Sequence, residues 1–492
     1  MTTSDLEARF DLWRGRAGLI LAPIVCLGLW FAPLGLEPRA HKLAAVLGTV
    51  AVLWVAESIP MPVTALVAAA ACVLVGVAPA KQVFSPFAEQ LMFLFIGSFI
   101  LARAIFVHGL DRRLAFGVMS LRMVGTSPFR ILFAYGAVTA FISAWISNTA
   151  TTAMMFAIGL SLLRFFEERP GGCPPAFATS LLLMTSFSAS IGGLATPIGT
   201  PPNAIGLGFI RNQLNVDIPF FDWMLLGVPV VTVLYLFLFA YLAWFGVPRR
   251  HDLTGGDVAL REMAASLGPW TTGQLGTLVG FVVMVSLWLL PGVVALVWGE
   301  QSAAYKSLKE LLPEAVPALL GAGLLFLLPG NRGGRVLTWD DAAQIDWGVV
   351  LLYGGGFALG ELSRETGLAA AIGQGLTSFL PGAGAWTLVT AAALVAVLTS
   401  EATSNTAAAN IVIPVVIPLA QAVGVDPLEP ALAATLAASL GFMLPVSTPC
   451  NAIVYGSGRI PLTRMIRYGL LLDLAGVVVV VLLVRWLTPF VR

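Results

Sequence analysis

The tripeptide Ser-Asn-Thr occurs twice in this chain, at residues 147–149 and 404–406, each time within a long apolar segment. Hydroxyl, amide and carbonyl oxygens are ligands for a hard cation, and the free N–H groups at the start of a helix attract an anion. Irregular polar backbone survives at membrane depth only where it lines a cavity or is buried in protein. Two breaks of this kind therefore predict a binding site for small ions.

A second irregular segment, rich in proline, follows each tripeptide along the chain. The two segments share a motif, Thr-Pro-Pro-Asn at residues 200–203 and Thr-Pro-Cys-Asn at residues 448–451. Proline cannot continue the hydrogen-bond ladder of a helix, so each segment is predicted to be broken. Ser, Asn and Thr in membrane helices also serve simply to bond a neighbouring helix. Two matched tripeptides with matched partners favour the binding site over that alternative.

The elements that must position these motifs are membrane-spanning helices. The chain has 492 residues, of which 58% are hydrophobic and only 11% charged, whereas soluble domains carry about 25% charged residues. About eleven apolar stretches approach the ~20 residues that a spanning helix needs. The sequence therefore predicts an all-α polytopic membrane protein with about 11 transmembrane helices plus two re-entrant hairpins.

The composition argues against several other classes of protein. The net charge of +1 gives no reason to expect a nucleic-acid partner. The four cysteines are scattered and suggest neither a metal site nor a disulfide framework. No His-Glu-x-x-His motif, aspartate cluster or Ser–His pairing marks an enzyme, and a channel has no need of two gating hairpins. We expect a transporter.

The two halves of the chain resemble each other. Residues 93–97 match residues 351–355, Gly109-Leu110 matches Gly367-Leu368, and both ion-binding motifs recur in the same order about 250 residues apart. We predict an N-terminal tail and first transmembrane helix (1–42), a first repeat (43–248), a cytoplasmic linker (249–270) and a second repeat (271–492).

Topology predicts that the second repeat is inverted relative to the first. Placing most of the 27 lysines and arginines in the cytoplasm puts the N-terminus inside and the C-terminus outside. Each repeat then has five spans plus a hairpin, and an odd number of spans inverts the second copy, as in many transporters. The amphipathic stretches 111–122 and 364–380 are expected to lie in the membrane interface.

Positive charge is absent from the segments around the motifs. Residues 131–163, 177–210, 385–422 and 431–458 contain no Lys, Arg or His. A dianion bound there cannot be neutralised by their side chains, so bound Na⁺ is the simplest source of positive charge. Protons are less suited, because Glu401 is the single carboxylate at the hairpin tips.

These motifs resemble those of the divalent anion/sodium symporter family of dicarboxylate, citrate and sulfate carriers. Residues 57–66 (ESIPMPVTAL) and 439–454 (SLGFMLPVSTPCNAIV) add to the resemblance, which extends over residues 43–490. It implies an elevator mechanism and a homodimer. In this architecture a mobile transport domain and a dimeric scaffold are interleaved across both repeats.

The resemblance also implies roles for individual residues. It assigns the sodium ligands to Ser143, Ser147, Asn148 and Gly199 at one site and to Ser400, Thr403, Asn405 and Ser447 at the other. It assigns the substrate carboxylates to Asn148, Thr149, Thr200, Asn405, Thr406, Thr448 and Pro449. The chain departs from the family pattern at Ser400 and Thr403, where relatives often have other small residues, and at Cys450, which replaces a proline.

The implied function is symport of a C4-dicarboxylate of the succinate, malate and fumarate class with two or more Na⁺. Both Ser-Asn-Thr tips are intact, whereas sulfate carriers of the family tend to lose the second, so a carboxylate is favoured. A sodium-independent dicarboxylate exchanger, which should carry a fixed cation near the site, and a sulfate or citrate carrier remain alternatives. The many arginines (23, against four lysines) suggest a GC-rich bacterial genome, and the expected location is the inner cell membrane.

Overall fold

The computed structural model describes residues 3–121, 123–124, 126–168, 172–247, 256–377 and 382–491. Within these ranges the regular structure is helical, and the β-pairing they contain is an isolated bridge between Pro329 and Arg335. The predicted all-α class is confirmed. Arg122, residues 378–380 of the second amphipathic stretch and residues 249–255 of the linker lie outside the described residues.

Twelve α-helices precede residue 270 in the described chain. They are α1 Thr3–Phe31, α2 Pro38–Ala56, α3 Met61–Leu74, α4 Ala80–Phe84, α5 Gln90–His108, α6 Leu110–Met119, α7 Pro128–Ser143, α8 Asn148–Glu167, α9 Pro175–Gly192, α10 Pro201–Leu214, α11 Phe220–Gly246 and α12 Gly256–Ser266.

A further eleven α-helices follow in the described part. They are α13 Thr272–Trp298, α14 Ala303–Leu311, α15 Ala315–Leu325, α16 Trp339–Ala342, α17 Trp347–Glu365, α18 Leu368–Thr377, α19 Ala385–Ala402, α20 Asn405–Val423, α21 Leu428–Ala437, α22 Pro449–Tyr455 and α23 Leu462–Leu487.

Ten of the described helical segments are long and apolar enough to cross a membrane, which makes this a multi-pass membrane protein. Three of them, α8, α19 and α20, are arms of the segments broken at Ser-Asn-Thr. Their 18 to 20 residues match the length of a span. The re-entrant path of these arms, and with it the inverted relation of the repeats, therefore remains a prediction.

The chain divides into two compact units, and each unit contains parts of both predicted repeats. The first unit comprises Met1–Phe93, Ala204–Ile218 and Asp346–Ala438. In it, α17 packs on α3, and the second hairpin (α19 and α20) packs on α21 and α18. Helices α3 and α17 approach so closely that a Cβ on Gly355 would lie 2.4 Å from that of Ala65.

The second unit comprises Leu94–Asn203, Pro219–Ile345 and Ser439–Arg492. Helix α9 lies at its centre, is buried from Phe177 to Gly192, and packs against α7, α8, α11 and α22. A helix that is apolar and buried all round serves as a fixed core. The first hairpin (α7 and α8) is therefore held against α9.

The two predicted amphipathic stretches are shorter than expected. They form α6 and α18, and each begins just after a glycine in the left-handed region, Gly109 at φ +63° and Gly367 at φ +78°. Residues with a Cβ rarely adopt this conformation. These glycines end the preceding helices, so Arg364 belongs to the last turn of α17. Their interfacial location remains a prediction.

Candidate ion and substrate site

The first Ser-Asn-Thr tripeptide lies at the tip of the α7–α8 hairpin. Helix α7 ends at Ser143, four residues form the turn, and α8 begins at Asn148. Ser147 occupies the N-cap position, where its carbonyl accepts from the Thr151 N–H at 2.9 Å. The predicted break is confirmed, and it leaves Asn148 and Thr149 in the first turn of α8, where backbone N–H groups are free.

Several oxygens converge on the Asn148 amide. One end of this amide lies 2.7 Å from Ser143 Oγ, 3.1 Å from Gly199 O and 3.2 Å from Ala189 O. When the amide presents its nitrogen, that nitrogen donates to the three oxygens. When it presents Oδ1, four oxygens share the single hydroxyl proton of Ser143. The second arrangement matches the ligand set of a hard cation.

Two glycines make this convergence possible. A Cβ on Gly193 would lie 2.5 Å from Asn148 Oδ1, and a Cβ on Gly199 would lie 2.5 Å from Gly193 O and 3.0 Å from Ala144 O. A side chain at Gly193 would require the Asn148 side chain to move, and a side chain at Gly199 would require the backbone to move. The Thr196 hydroxyl donates to Ala144 O and so ties the hairpin tip to the same loop.

The loop between α9 and α10 is braced from within. The Asn203 side-chain amide donates to Gly193 O at 2.9 Å and to Thr196 O at 2.8 Å. Asn203 is fully buried, and its two bonds hold the loop that carries Gly199. A residue that satisfies two free carbonyls at a helix break stabilises an otherwise costly conformation.

The second tripeptide repeats this arrangement at the tip of the α19–α20 hairpin. Helix α20 begins at Asn405, and Ser404 caps it by accepting from the Ala407 N–H at 3.3 Å. Ser400 Oγ lies 2.7 Å from Asn405 Oδ1 and 2.9 Å from Ala438 O. Because Ser400 has a single hydroxyl proton, three oxygens again share one donor.

The second proline-broken loop is braced in the same way as the first. The Asn451 amide donates to Gly441 O and Leu444 O, both at 3.0 Å. These partners are the exact counterparts, along the repeat, of those used by Asn203. The Asn451 Oδ1 accepts from the Ser186 hydroxyl on α9, and Thr448 caps α22 by accepting from the Asn451 N–H at 3.1 Å.

The predicted substrate residues of the second unit surround two helix starts. Thr149 and Pro449 are exposed, whereas Thr200 and Thr448 are buried. Helix α22 packs on α8 and α9, and the Cys450 thiol has the side chains of Thr149, Thr152 and Ser190 as neighbours.

The predicted residues thus fall into two groups. Ser143, Ser147, Asn148, Thr149, Gly199, Thr200, Ser447, Thr448 and Pro449 lie in the second unit, and Ser400, Thr403, Asn405 and Thr406 lie in the first. Within the groups, Ser143, Asn148 and Gly199 come together around one centre, and Ser400 and Asn405 around another. The Ser147 side chain is exposed, and the Thr403 hydroxyl donates to Thr399 O at 2.6 Å.

Sequence reasoning missed several residues of these sites. Asn203 and Asn451 lie in the Thr-Pro-x-Asn motifs but have no predicted role, and Gly193 lies in no motif. The carbonyls of Ala189 and Ala438 cannot be identified from the sequence, because every residue type has a carbonyl. The asparagine repeated in both Thr-Pro-x-Asn motifs could have indicated the matching roles of Asn203 and Asn451. Glu401 is buried with 4% exposure, so it is not a solvated carboxylate at the end of a helix.

Groups of three or more His, Cys, Asp or Glu side chains that could hold a metal are not found among the described residues. The convergent ligands of both centres are neutral oxygens, and the surrounding segments 131–163 and 385–422 carry no cationic side chain. Neutral oxygen ligands of this kind would suit a monovalent cation, since sites for divalent ions usually include carboxylates.

Comparison with known proteins agrees with this chemistry. The chain is 33% identical over 485 residues to the sodium-dependent dicarboxylate transporter SdcS of Staphylococcus saprophyticus, covering 96% of this chain and 91% of the relative. The Staphylococcus aureus (strain USA300) protein of the same name is 32% identical over 487 residues, with the same coverage.

Solved structures of two transporters share the fold. The Alcanivorax borkumensis YdaH transporter matches with a TM-score of 0.56 at 15% identity, covering 84% of this chain and 87% of that one. Neisseria gonorrhoeae MtrF, one of a class of antimetabolite efflux pumps, matches with a TM-score of 0.54 at 14% identity, covering 85% of each chain. At this identity the likeness concerns the fold alone.

The model of the sodium:sulfate symporter transmembrane region matches residues 13–491, and this match confirms the resemblance drawn from the motifs. The relatives and the family are transporters and not enzymes. The chain therefore belongs to the sodium:sulfate symporter family of membrane transporters.

Proposed function

We propose that this protein imports a C4-dicarboxylate of the succinate, malate and fumarate class together with two or more Na⁺. The observation that carries the proposal is the convergence of oxygens on an asparagine amide at both hairpin tips. When Asn148 turns its Oδ1 to Ser143, as Asn405 does to Ser400, each tip brings together more oxygens than its hydroxyl proton can satisfy. A bound Na⁺ at each tip would balance these oxygens.

The anion would bind to the helix starts beside these cations. Helices α8 and α20 begin at Asn148 and Asn405, so each directs free N–H groups and the positive end of its dipole to the tip. One asparagine would then serve both the cation and a carboxylate. Such sharing couples the two ligands, because each raises the affinity of the protein for the other.

Charge balance favours the same assignment. A charge in the bilayer centre costs about 2.5 to 3.5 kcal/mol on insertion scales, and the segments around both tips contain no Lys, Arg or His. Two Na⁺ neutralise a dicarboxylate dianion, and a third would make transport electrogenic. The names of the SdcS relatives, sodium-dependent dicarboxylate transporters, support this substrate and this ion.

The larger architecture belongs to the proposal as well. We place the N-terminus in the cytoplasm and the C-terminus outside, with two inverted repeats in the inner membrane and a homodimeric assembly. The hairpins would move with the bound ions as a transport domain against a dimeric scaffold. The N-cap serines, serine–asparagine pairs and asparagine braces at matched positions of the two halves support the repeat.

The test is uptake of labelled succinate into proteoliposomes that contain the full chain and no internal substrate. Uptake with external Na⁺, but not with K⁺ or choline, is the expected result. Sodium-independent uptake that requires dicarboxylate inside the proteoliposomes would show that the protein is an exchanger. Competition by unlabelled sulfate or citrate, but not by malate or fumarate, would overturn the substrate class.

A further inference from the structure

The first hairpin tip carries a tryptophan whose counterpart in the second hairpin is alanine. Trp145 lies within the turn between Ser143 and Asn148, and Ala402 occupies the matched position of the second hairpin. Both tips have a serine at the N-cap position and a similar Ser–Asn pair, and the Ser404 side chain caps its helix whereas the Ser147 side chain does not. This asymmetry has no explanation in the ligand chemistry, which the two tips share.

The Trp145 ring belongs to a column of aromatic rings. It stacks on Phe220 at a centroid distance of 6.3 Å and an interplanar angle of 19°, and it meets Phe281 edge-on at 5.1 Å and 83°. Phe220 stacks in turn on Trp288 at 4.4 Å and 10°. The Trp288 indole donates to Glu314 O at 2.9 Å, so the far end of the column is fixed on α13.

The same end of α11 also holds the loop that faces the tip. Trp223, three residues after Phe220 and therefore on a neighbouring face of the helix, donates from its indole to Leu194 O at 3.1 Å. A Cβ on Gly227 would lie 2.5 Å from that carbonyl. Helix α11 thus contacts both the tip that carries Asn148 and the loop that leads to Gly199.

We infer that Trp145 is a positioning residue that holds the first hairpin tip in its sodium-binding arrangement through α11 and α13. This inference rests on the proposed function. An apparent affinity falls by the fraction of molecules that hold the competent arrangement, so a tip released from the column binds sodium more weakly. The second tip, with Ala402, depends on its own packing against α21.

The role belongs to the ring and not to the indole N–H. The Trp145 Nε1 atom is buried and has no hydrogen-bond partner among the residues that the structure describes. Phenylalanine would keep the aromatic contacts and remove this unsatisfied donor. Alanine would remove both contacts of the ring. The pair Trp145→Phe and Trp145→Ala therefore separates stacking from hydrogen bonding.

The experiment measures succinate uptake by full-length variants in proteoliposomes against NaCl concentration, with choline chloride keeping the ionic strength constant. Each aromatic pair changes an equilibrium by roughly 2- to 12-fold, so Trp145→Ala should raise the half-saturating Na⁺ concentration about tenfold, or about 1.4 kcal/mol. Its maximal rate at saturating Na⁺ should stay within about twofold of the wild type. Trp145→Phe should match the wild type.

A second measurement reads sodium binding without transport. Na⁺ that binds the folded state raises the melting temperature of the purified protein, and Trp145→Ala should shift this response to higher Na⁺. Trp298→Ala is the matched control, because Trp298 is 65% exposed at the end of α13 and its loss should change neither curve. Phe281→Leu is a milder change in the same column and should raise the half-saturating Na⁺ concentration about threefold. This variant replaces Trp145→Ala in both measurements if Trp145→Ala does not fold.

The outcomes separate the two proposals. Wild-type protein that shows no sodium-dependent uptake and no sodium-dependent stabilisation would defeat the proposed function itself. A sodium-dependent wild type with an unchanged Trp145→Ala curve would overturn the positioning role alone. So would a Trp145→Phe variant as impaired as Trp145→Ala, because the N–H would then be the group that matters.

Discussion

Replacing Gly199 by alanine tests the first cation centre with a single methyl group. The new Cβ would lie 2.5 Å from Gly193 O and 3.0 Å from Ala144 O, whereas ordinary contacts begin at 3.4 Å. The two parts of the loop that carry Gly193 and Gly199 must therefore separate by about 0.9 Å, and the loop and the tip by about 0.4 Å. The Gly199 carbonyl, 3.1 Å from the Asn148 amide, would move out of the ligand set.

The size of the effect follows from the cost of overpacking. Inserting a methyl group into a close-packed site costs about 1 to 3 kcal/mol. If opening the loop relieves this strain, the sodium-binding arrangement loses that amount, and the apparent sodium affinity falls about 5- to 150-fold. The half-saturating Na⁺ concentration for succinate uptake should rise accordingly, and the sodium-induced rise in melting temperature should shrink.

Two controls belong to this experiment. Gly323→Ala on α15 adds the same methyl group where nothing lies within 4 Å, so its sodium curve should match the wild type. Ser447→Gly changes the counterpart position of the second loop, which already accepts a side chain, and it should be milder than Gly199→Ala. A Gly199→Ala variant with wild-type sodium dependence would refute the close approach of the loop to the tip.

Two further predictions concern the tips and a buried carboxylate. Asn148→Ala and Asn405→Ala should each abolish sodium-dependent uptake, because each variant loses a cation ligand and an anion ligand together. Size-exclusion chromatography should show that both purified variants remain folded. Normal uptake by either variant would show that its asparagine is not part of the site. Asp111 on α6 is 2% exposed, and burial raises the pKa of its carboxyl above the ordinary value. Its contribution to stability is therefore complete below about pH 4 and is lost as pH rises through the raised folded pKa. The melting temperature of the wild type should therefore fall between pH 4.5 and pH 8. Asparagine is neutral over this range, so the melting temperature of Asp111→Asn should fall less. Parallel profiles for variant and wild type would contradict the burial of the Asp111 carboxyl.

The sequence alone was sufficient for the fold class and for the location of the breaks. Apolar stretches of spanning length and a low content of charged residues predict an all-helical membrane protein, because only a helix makes all its backbone hydrogen bonds within one segment. The breaks at Ser147 and Ser404 could be located because both tripeptides recur at matched positions with matched proline partners. Proline and the N-cap preference of serine act locally, so their effects can be read from neighbouring residues.

Sequence reasoning also selected Ser143 with Asn148 and Ser400 with Asn405, and the structure brings the members of each pair to 2.7 Å. Here the five-residue spacing across a helix end decides the contact. By contrast, the Ala189 carbonyl belongs to α9 and the Ala438 carbonyl to the residue that follows α21, and any residue type presents a carbonyl. The sequence therefore cannot identify backbone ligands of this kind.

Only the tertiary structure decided how the tips are held. Gly193 and Gly199 matter because the Asn148 amide and the loop carbonyls occupy the space where their side chains would be, and Trp145 matters because Phe220 and Phe281 arrive from α11 and α13. These contacts join residues far apart in the chain. Local propensities determine where a helix starts and stops, but close packing between distant helices determines which carbonyls and rings meet.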